Sequence, residues 1–143
     1  MAKIFQREFD SARAGMAAAA DDLSAWLEAE AVPQRAALLA RLALDELASN
    51  ALRYGGVEGR TVRVLFRCEL AGDAIRIVVE DDGWPFDPRE AATPDLDLPL
   101  DRQPIGGRGI HLLRSLSSCF DYERRDGRNC VRLESRIVPG SAG

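Results

Sequence analysis

Leu44-Asp45-Glu46-Leu47-Ala48-Ser49-Asn50-Ala51 sets a carboxylate and an amide four residues apart, in a stretch that runs without a breaker from Pro33 to Tyr54. Proline suits a first helical turn and Gly55-Gly56 supplies a stop, so the pattern predicts a helix over about 34–54. Arg41, Asp45 and Ser49 form one polar stripe on it, and an Arg/Asp pair at this spacing marks a solvated face. Glu46 projects about 100° further round. There, above Leu39 and Ala43, it and Asn50 interrupt an otherwise apolar stripe. A carboxylate and an amide in that place want partners, and a base and a metal ligand are what such a pair can supply. An amphipathic helix with a slightly wide polar face would carry the same residues.

Two glycine turns follow downstream. Ala74-Ile-Arg-Ile-Val-Val-Glu80 alternates and is β-branched, which reads as a strand running into Asp81-Asp82-Gly83-Trp84-Pro85. Asp81 at the strand end can accept a hydrogen bond from the exocyclic amine of a base, and Gly83 permits close backbone approach. An Asp-Gly pair can also close a hairpin, but Phe86-Asp87-Pro88 leads into a stretch with no second strand. From Pro88 to Ile105, Pro94, Pro99 and Pro104 are spread among Asp95, Asp97 and Asp101, a composition that supports neither helix nor strand. It is long for an idle loop, and a lid over about 88–106 is the reading. Gly106-Gly107-Arg108-Gly109 then opens a helix with Ile110, Leu113 and Leu116 at helical spacing. Orphan N–H groups and the helix dipole make such a start an anion site, although a flexible helix entry uses the same glycines. The three segments together read as one nucleotide site.

In this order, a Glu/Asn helix, a strand-end Asp-x-Gly, a long lid and a Gly-x-Gly helix, the chain resembles the ATP-binding domain shared by gyrase, Hsp90, histidine kinases and MutL. Within that group it is most similar to the anti-sigma-factor serine/threonine kinases. The residues that carry this are Asp45-Glu46-Leu-Ala-Ser-Asn50-Ala51, Val79-Glu-Asp81-Asp-Gly83-Trp-Pro-Phe86-Asp87-Pro88 and Gly106-Gly-Arg-Gly109-Ile-His-Leu-Leu-Arg-Ser-Leu116. Pro85 stands where histidine kinases and gyrases often have a second glycine, which favours the serine-kinase branch. The resemblance implies an α/β fold, a two-layer sandwich of the Bergerat ATP-binding type with helices on one face of a mixed sheet, as a single domain over 1–143. It implies ATP and Mg²⁺ as cofactors, with Asn50 as the metal ligand, Asp81 as acceptor of the adenine amine and Gly83 as the close-approach glycine. Gly107 and Gly109 would cradle phosphates, and Glu46 would be the general base. Arg108, where the family has an apolar residue, either adds charge near the phosphates or is a solvated arginine. For the family's adenine-assisting threonine the counterpart is Asn129 or Cys130. The implied partner is a STAS-domain antagonist that the chain phosphorylates, with a sigma factor as a second candidate for the same surface and a homodimer left open. The alternative is an ATP-binding module that sequesters a partner without phosphorylating it. A dinucleotide-binding oxidoreductase ranks last, because the glycine turn follows a proline-rich stretch instead of a first strand.

Composition agrees. A length of 143 residues suits one domain, and 46% hydrophobic content suffices for a core. A net charge of −4 without a basic cluster speaks against direct nucleic-acid binding, and Arg124-Arg125-Asp126-Gly127-Arg128 reads as a solvated hairpin tip. Cys68, Cys119 and Cys130 have no metal-ligand spacing, so buried thiols are expected, and the lone His111 reads as structural or surface. With no signal-peptide core and no apolar run near a membrane span, a cytoplasmic protein away from membranes is expected. The other expected elements are a strand near 3–9, a helix from Ser11 to about Glu30 capped by Asp10-Ser11, strands near 61–70 and 74–81, and a hairpin near 119–137 turning at Asp126-Gly127.

Overall fold

Stretches of period two alternate with stretches of period 3.6 along the chain, and the backbone follows them. The computed structural model describes residues 2–11, 15–54, 60–90 and 107–137. Its elements are β1 (Lys3–Asp10), α1 (Gly15–Ala29), α2 (Gln34–Tyr54), β2 (Arg63–Ala71), β3 (Ala74–Asp81), a 3₁₀ turn (Pro88–Glu90), α3 (Gly107–Leu116), β4 (Cys119–Arg125) and β5 (Arg128–Arg136). Helix α2 lies where the sequence predicts it. Pro33 immediately precedes it and accepts the Ala37 N–H at 2.9 Å, so the N–H that proline lacks is not needed. Leu39, Ala40, Ala43, Leu44, Leu47, Ala48 and Ala51 are buried along one side, and the alanines let the helix sit close to the sheet.

The strand order is β1-β2-β3-β5-β4, and each neighbouring pair is antiparallel. The two-layer α/β sandwich therefore holds, but the expected mixed sheet is an antiparallel one. The cause is parity. Two helices separate β1 from β2, tight turns join β2 to β3 and β4 to β5, and α3 plus β4 separate β3 from β5. Each neighbour consequently returns in the opposite direction. Phe5, Phe66, Ile77 and Leu133 face a helical layer that contributes Leu23, Leu27, Leu39, Ile110 and Leu113 to the same core. The opposite face alternates charge, with Arg76–Glu134 and Arg132–Glu123 pairs at 3.5 Å. Exposed pairs of this kind add little stability, but they suit an antiparallel sheet that meets water on one side.

Some expectations change. Ser11 prolongs the pairing of β1 with β2, since its N–H donates to the Val62 carbonyl and its hydroxyl accepts the Val62 N–H, both at 2.9 Å, while residues 12–14, which a helix cap there would bond, lie outside the described residues. Cys68 and Cys130 are buried but Cys119 is exposed, because odd positions of β4 at that end face the open side of the sheet. Burial pushes the Cys68 thiol up to about 12, which keeps it inert. His111 is a surface residue. Asp126 and Gly127 have φ of 52° and 75°, the left-handed pair that a two-residue hairpin turn requires. Beyond Glu90 the expected lid lies outside the described residues, as do Gly55, Gly56, Gly106 and the tail from 138. No described helix is long and apolar enough to cross a membrane.

If the α2 stripe carries the core, Leu44→Ala should lower unfolding free energy by about 2–5 kcal/mol. Leu38→Ala, at a position 45% exposed, should change it by less than about 0.5 kcal/mol. Urea denaturation of the two variants checks the contrast, and similar midpoints would contradict the packing.

Candidate functional site

At one end of the sheet the register pairs Asp81 of β3 with Asn129 of β5, and Asn129 with Arg124 of β4, so all three side chains share the helix-covered face. The Asp81 Oδ1 accepts the Gly83 N–H and an Asn129 Nδ2–H, each at 2.9 Å. Among the described residues nothing bonds Oδ2, which is left for the cleft that Asp81 lines. Asn129 donates in addition to the Trp84 carbonyl at 2.7 Å and accepts from the Tyr122 hydroxyl at 2.6 Å and the Phe86 N–H at 3.2 Å. Arg124 donates to the Gly83 carbonyl at 2.7 Å, tying the hairpin tip to the same turn. That arginine belongs to the site's framework and is more than the solvated tip residue the sequence suggests.

The cleft is narrow, with a cavity volume of about 20 Å³, well below that of an open ligand pocket. Val79 and Val131 form its floor, Leu47 and Ala51 of α2 its roof, and Phe86 and Pro88 a side wall. Asn50 reaches it from α2, 7% exposed, with no hydrogen bond to its amide among the described residues. The side wall is braced from outside. Arg89 forms a two-pronged pair with Asp87 at 3.0 and 2.8 Å, and its guanidinium lies 5.9 Å from the Tyr122 ring centroid. The Arg89 bonds hold the Asp87 carboxyl below the usual carboxylate range.

One helical turn before Asn50 stands Glu46. Arg35 donates to the Ser115 carbonyl at 3.2 Å near one end of the α2–α3 contact, and Glu46 meets Gly109 at the other, so the helices run antiparallel. The start of α3 is thereby set beside Glu46. A Cβ built on Gly109 would overlap the Glu46 carboxyl, so glycine is required there by Glu46 as the side chain now lies. Burial raises the Glu46 carboxyl above its ordinary value, Asp45 adds to this and Arg53 opposes it. Burial raises Asp81 too, against the Asn129 and Gly83 hydrogen bonds and Arg124, while Asp82 reinforces the rise. Burial also raises the Tyr122 phenol, which keeps it a hydrogen-bond donor.

The structure thus brings Asn50 and Asp81 into one cleft and places Glu46 and Gly109 in contact a turn away. Gly107 begins α3, whose first N–H groups have no intrahelical partner, as an anion site needs. The Arg108 side chain lies outside the described residues. Gly83 serves mainly by its N–H and carbonyl, and among the described residues it does not line the cleft. Of Asn129 and Cys130, the register selects Asn129: Cys130 pairs with Glu80 and faces the other side. Tyr122, Arg124 and the Asp87–Arg89 brace escaped sequence reasoning. The Asp126-Gly127 turn could have revealed the first two, since a two-residue loop fixes which β4 and β5 residues stand opposite.

A cleft with an acceptor at its floor, an amide in its roof and a helix start beyond suits an adenine nucleotide. The histidine kinase-like ATPase domain family matches residues 9–135. The chain belongs to that family. It is also 30% identical over 129 residues to the serine/threonine-protein kinase BtrW of Bordetella bronchiseptica, covering 87% of this chain and 91% of the relative. Membership in this family implies ATP binding, and the cleft lined by Asn50 and by Asp81, whose Oδ2 is unbonded among the described residues, is the candidate place for it.

The overlap at Gly109 yields a measurable expectation. Gly109→Ala displaces the flexible Glu46 carboxyl toward water, so its pKa should fall back toward the ordinary glutamate value. Carbon-detected NMR titration of Glu46 in both proteins checks this, and an unchanged titration would refute the contact.

Proposed function

We propose that this chain is an ATP- and Mg²⁺-dependent serine/threonine protein kinase that phosphorylates a small STAS-domain antagonist and, with the same face, binds a sigma factor as an anti-sigma factor. The observation that carries the kinase reading is Glu46: a half-buried carboxylate beside the start of α3, one turn from Asn50, with no hydrogen bond to any described residue. A module that only sequesters has no use for such a group, whereas a base gains from a pKa raised toward the working pH. The likeness to the Bordetella serine/threonine-protein kinase supports the same activity. A STAS-domain partner and a sigma factor are supported by the sequence resemblance alone.

The residues divide the work. Asp81 binds the base, and Asn50, with its amide unbonded among the described residues, would hold a magnesium ion through its amide oxygen. When bound, that ion neutralises charge developing on the phosphates. The N–H groups at the start of α3 face the same charge. Glu46 takes the proton of the acceptor hydroxyl as its oxygen bonds to the γ-phosphorus and the bond from that phosphorus to the β–γ bridging oxygen breaks. A phosphoester and ADP are left, and Glu46 returns the proton to solvent. Phosphoryl transfer depends on positioning and charge more than on covalent help, so one base and one metal suffice.

Asn50→Ala should abolish most Mg²⁺-dependent ATP binding by calorimetry, and equal affinity with Mg²⁺ present would reject the metal assignment. Glu46→Gln keeps shape yet cannot act as a base. Transfer to a STAS-domain substrate should therefore fall by about 10²–10⁴, with ATP binding and partner pull-down intact. Undiminished transfer would reject Glu46 as base. No transfer by the wild type to any antagonist tested would favour a non-enzymatic, ATP-binding sequestering module.

A further inference from the structure

Asn129 is 3% exposed and its amide has no bonding capacity left. Two of its partners are backbone groups that cannot change character. The Trp84 carbonyl can only accept, which requires Nδ2 on that side, and the Phe86 N–H can only donate, which requires Oδ1 on the other. The orientation of the amide is therefore dictated by the backbone, and the Tyr122 hydroxyl at 2.6 Å reinforces it. In that orientation an Nδ2–H points at residue 81, and the Gly83 N–H points at the same oxygen. Two donors converge on one terminal atom of residue 81. Whatever side chain stands there must present an acceptor to them, and its second terminal atom is the one turned to the cleft.

We propose that Asn129, held by Tyr122, is the specificity-determining positioning residue of the nucleotide site: it fixes the hydrogen-bonding polarity that residue 81 shows to the purine 6-position. This inference rests on the reading of the cleft as an ATP site. With aspartate at 81 the inner oxygen is saturated and the outer one accepts, which matches the 6-amino group of adenine. With asparagine at 81 the carbonyl oxygen is forced inward, because an inward amide would set donor against two donors. The NH₂ group then faces the cleft and matches a 6-oxo purine. Asp81→Asn should thus invert base preference and not simply destroy binding. The inversion depends on Asn129, since without that amide only the Gly83 N–H biases the rotamer. The charged groups that act on Asp81, Asp82 and Arg124, are unchanged in these variants.

The test is competition between ATP and inosine triphosphate, which carries a 6-oxo group without the 2-amino group of guanine, measured by calorimetry on the full chain. Wild type should prefer ATP by about 10- to 100-fold, the range for one mismatched buried hydrogen bond. Asp81→Asn should prefer inosine triphosphate by about 10-fold or more. Adding Asn129→Leu to Asp81→Asn should bring the two affinities within about 3-fold of each other. A folded Asp81→Asn, judged by near-UV circular dichroism, that loses both nucleotides or keeps preferring ATP overturns the proposal. Should that variant not fold, Asn129→Leu alone decides: the expected result is ATP affinity lower by about 10-fold with inosine triphosphate unaffected, and unchanged binding of both overturns the assignment. A wild type that binds neither nucleotide would sink the ATP reading itself, a failure visible before any variant is made.

Discussion

Helix α2 must bury a long stripe of alanine and leucine against the sheet, and that requirement sets the position of nearly everything else. Because Ala40, Ala43 and Ala48 are fully buried, the helix lies close over the strands, and its side chains leave no room for polar groups along most of its length. Asn50 is the exception near its C-terminal end, where it meets the sheet end marked by Asp81 and Asn129. The chain leaves the sheet at that point through Asp82-Gly83-Trp84. Packing stops, and the gap between helix and strand ends is the cleft. The site is thus where the hydrophobic layer runs out, and α2 supplies both the core that holds the fold and the two polar groups at its margin.

Burying polar groups at such a margin costs stability unless they are bonded. The site solves this differently at its two ends. At the sheet end, Asp81 is buried but accepts two hydrogen bonds, so its raised pKa is moderated, and its second oxygen has no bond among the described residues. At the other end, Glu46 is also raised by burial, and among the described residues only Arg53 favours its charge. One carboxylate is held still and the other is left basic. The same physical cause acts on both carboxyls, and the difference between them lies in the neighbours; in the proposed function one serves recognition and the other accepts a proton.

Much of this was legible in the sequence, for reasons that explain the failures too. Helix α2 and strand β3 were readable because their periodicities are long and Pro33 and the Asp-x-Gly turn bound them. The turn at Asp126-Gly127 was readable because left-handed backbone leaves few residue choices. Sheet direction was not, since it follows from the number of elements between neighbours in space, and spatial order is invisible locally. The strand bond of Ser11 was not legible because a hydroxyl after a strand can accept from an adjacent strand as well as cap a helix, and the location of Val62 is invisible locally. The choice between Asn129 and Cys130 turned on one residue of register, which moves a side chain to the opposite face. Glu46, Asn50 and Asp81 could be singled out as candidates because their chemistry is conspicuous in apolar surroundings. Gly109 was found as a backbone donor, yet the room it makes for Glu46 is a tertiary contact that glycine's sequence context cannot reveal.

That contact joins two parts of the site that sequence separates. Gly109 belongs to the helix that follows 91–106, and Glu46 belongs to the helix that roofs the cleft, so the start of α3 cannot shift without changing the burial of Glu46. Burial is the largest cause of that residue's raised pKa. The basicity of Glu46 is therefore a function of where α3 begins. Asp81 has no such dependence, since it is held by β5 and by its own turn, with Arg124 of β4 behind them. The surroundings of Asp81 are built on the sheet, while those of Glu46 are set by the placement of one helix start. A nucleotide whose phosphates engage the first N–H groups of α3 would act directly on the element that determines how strongly Glu46 holds a proton.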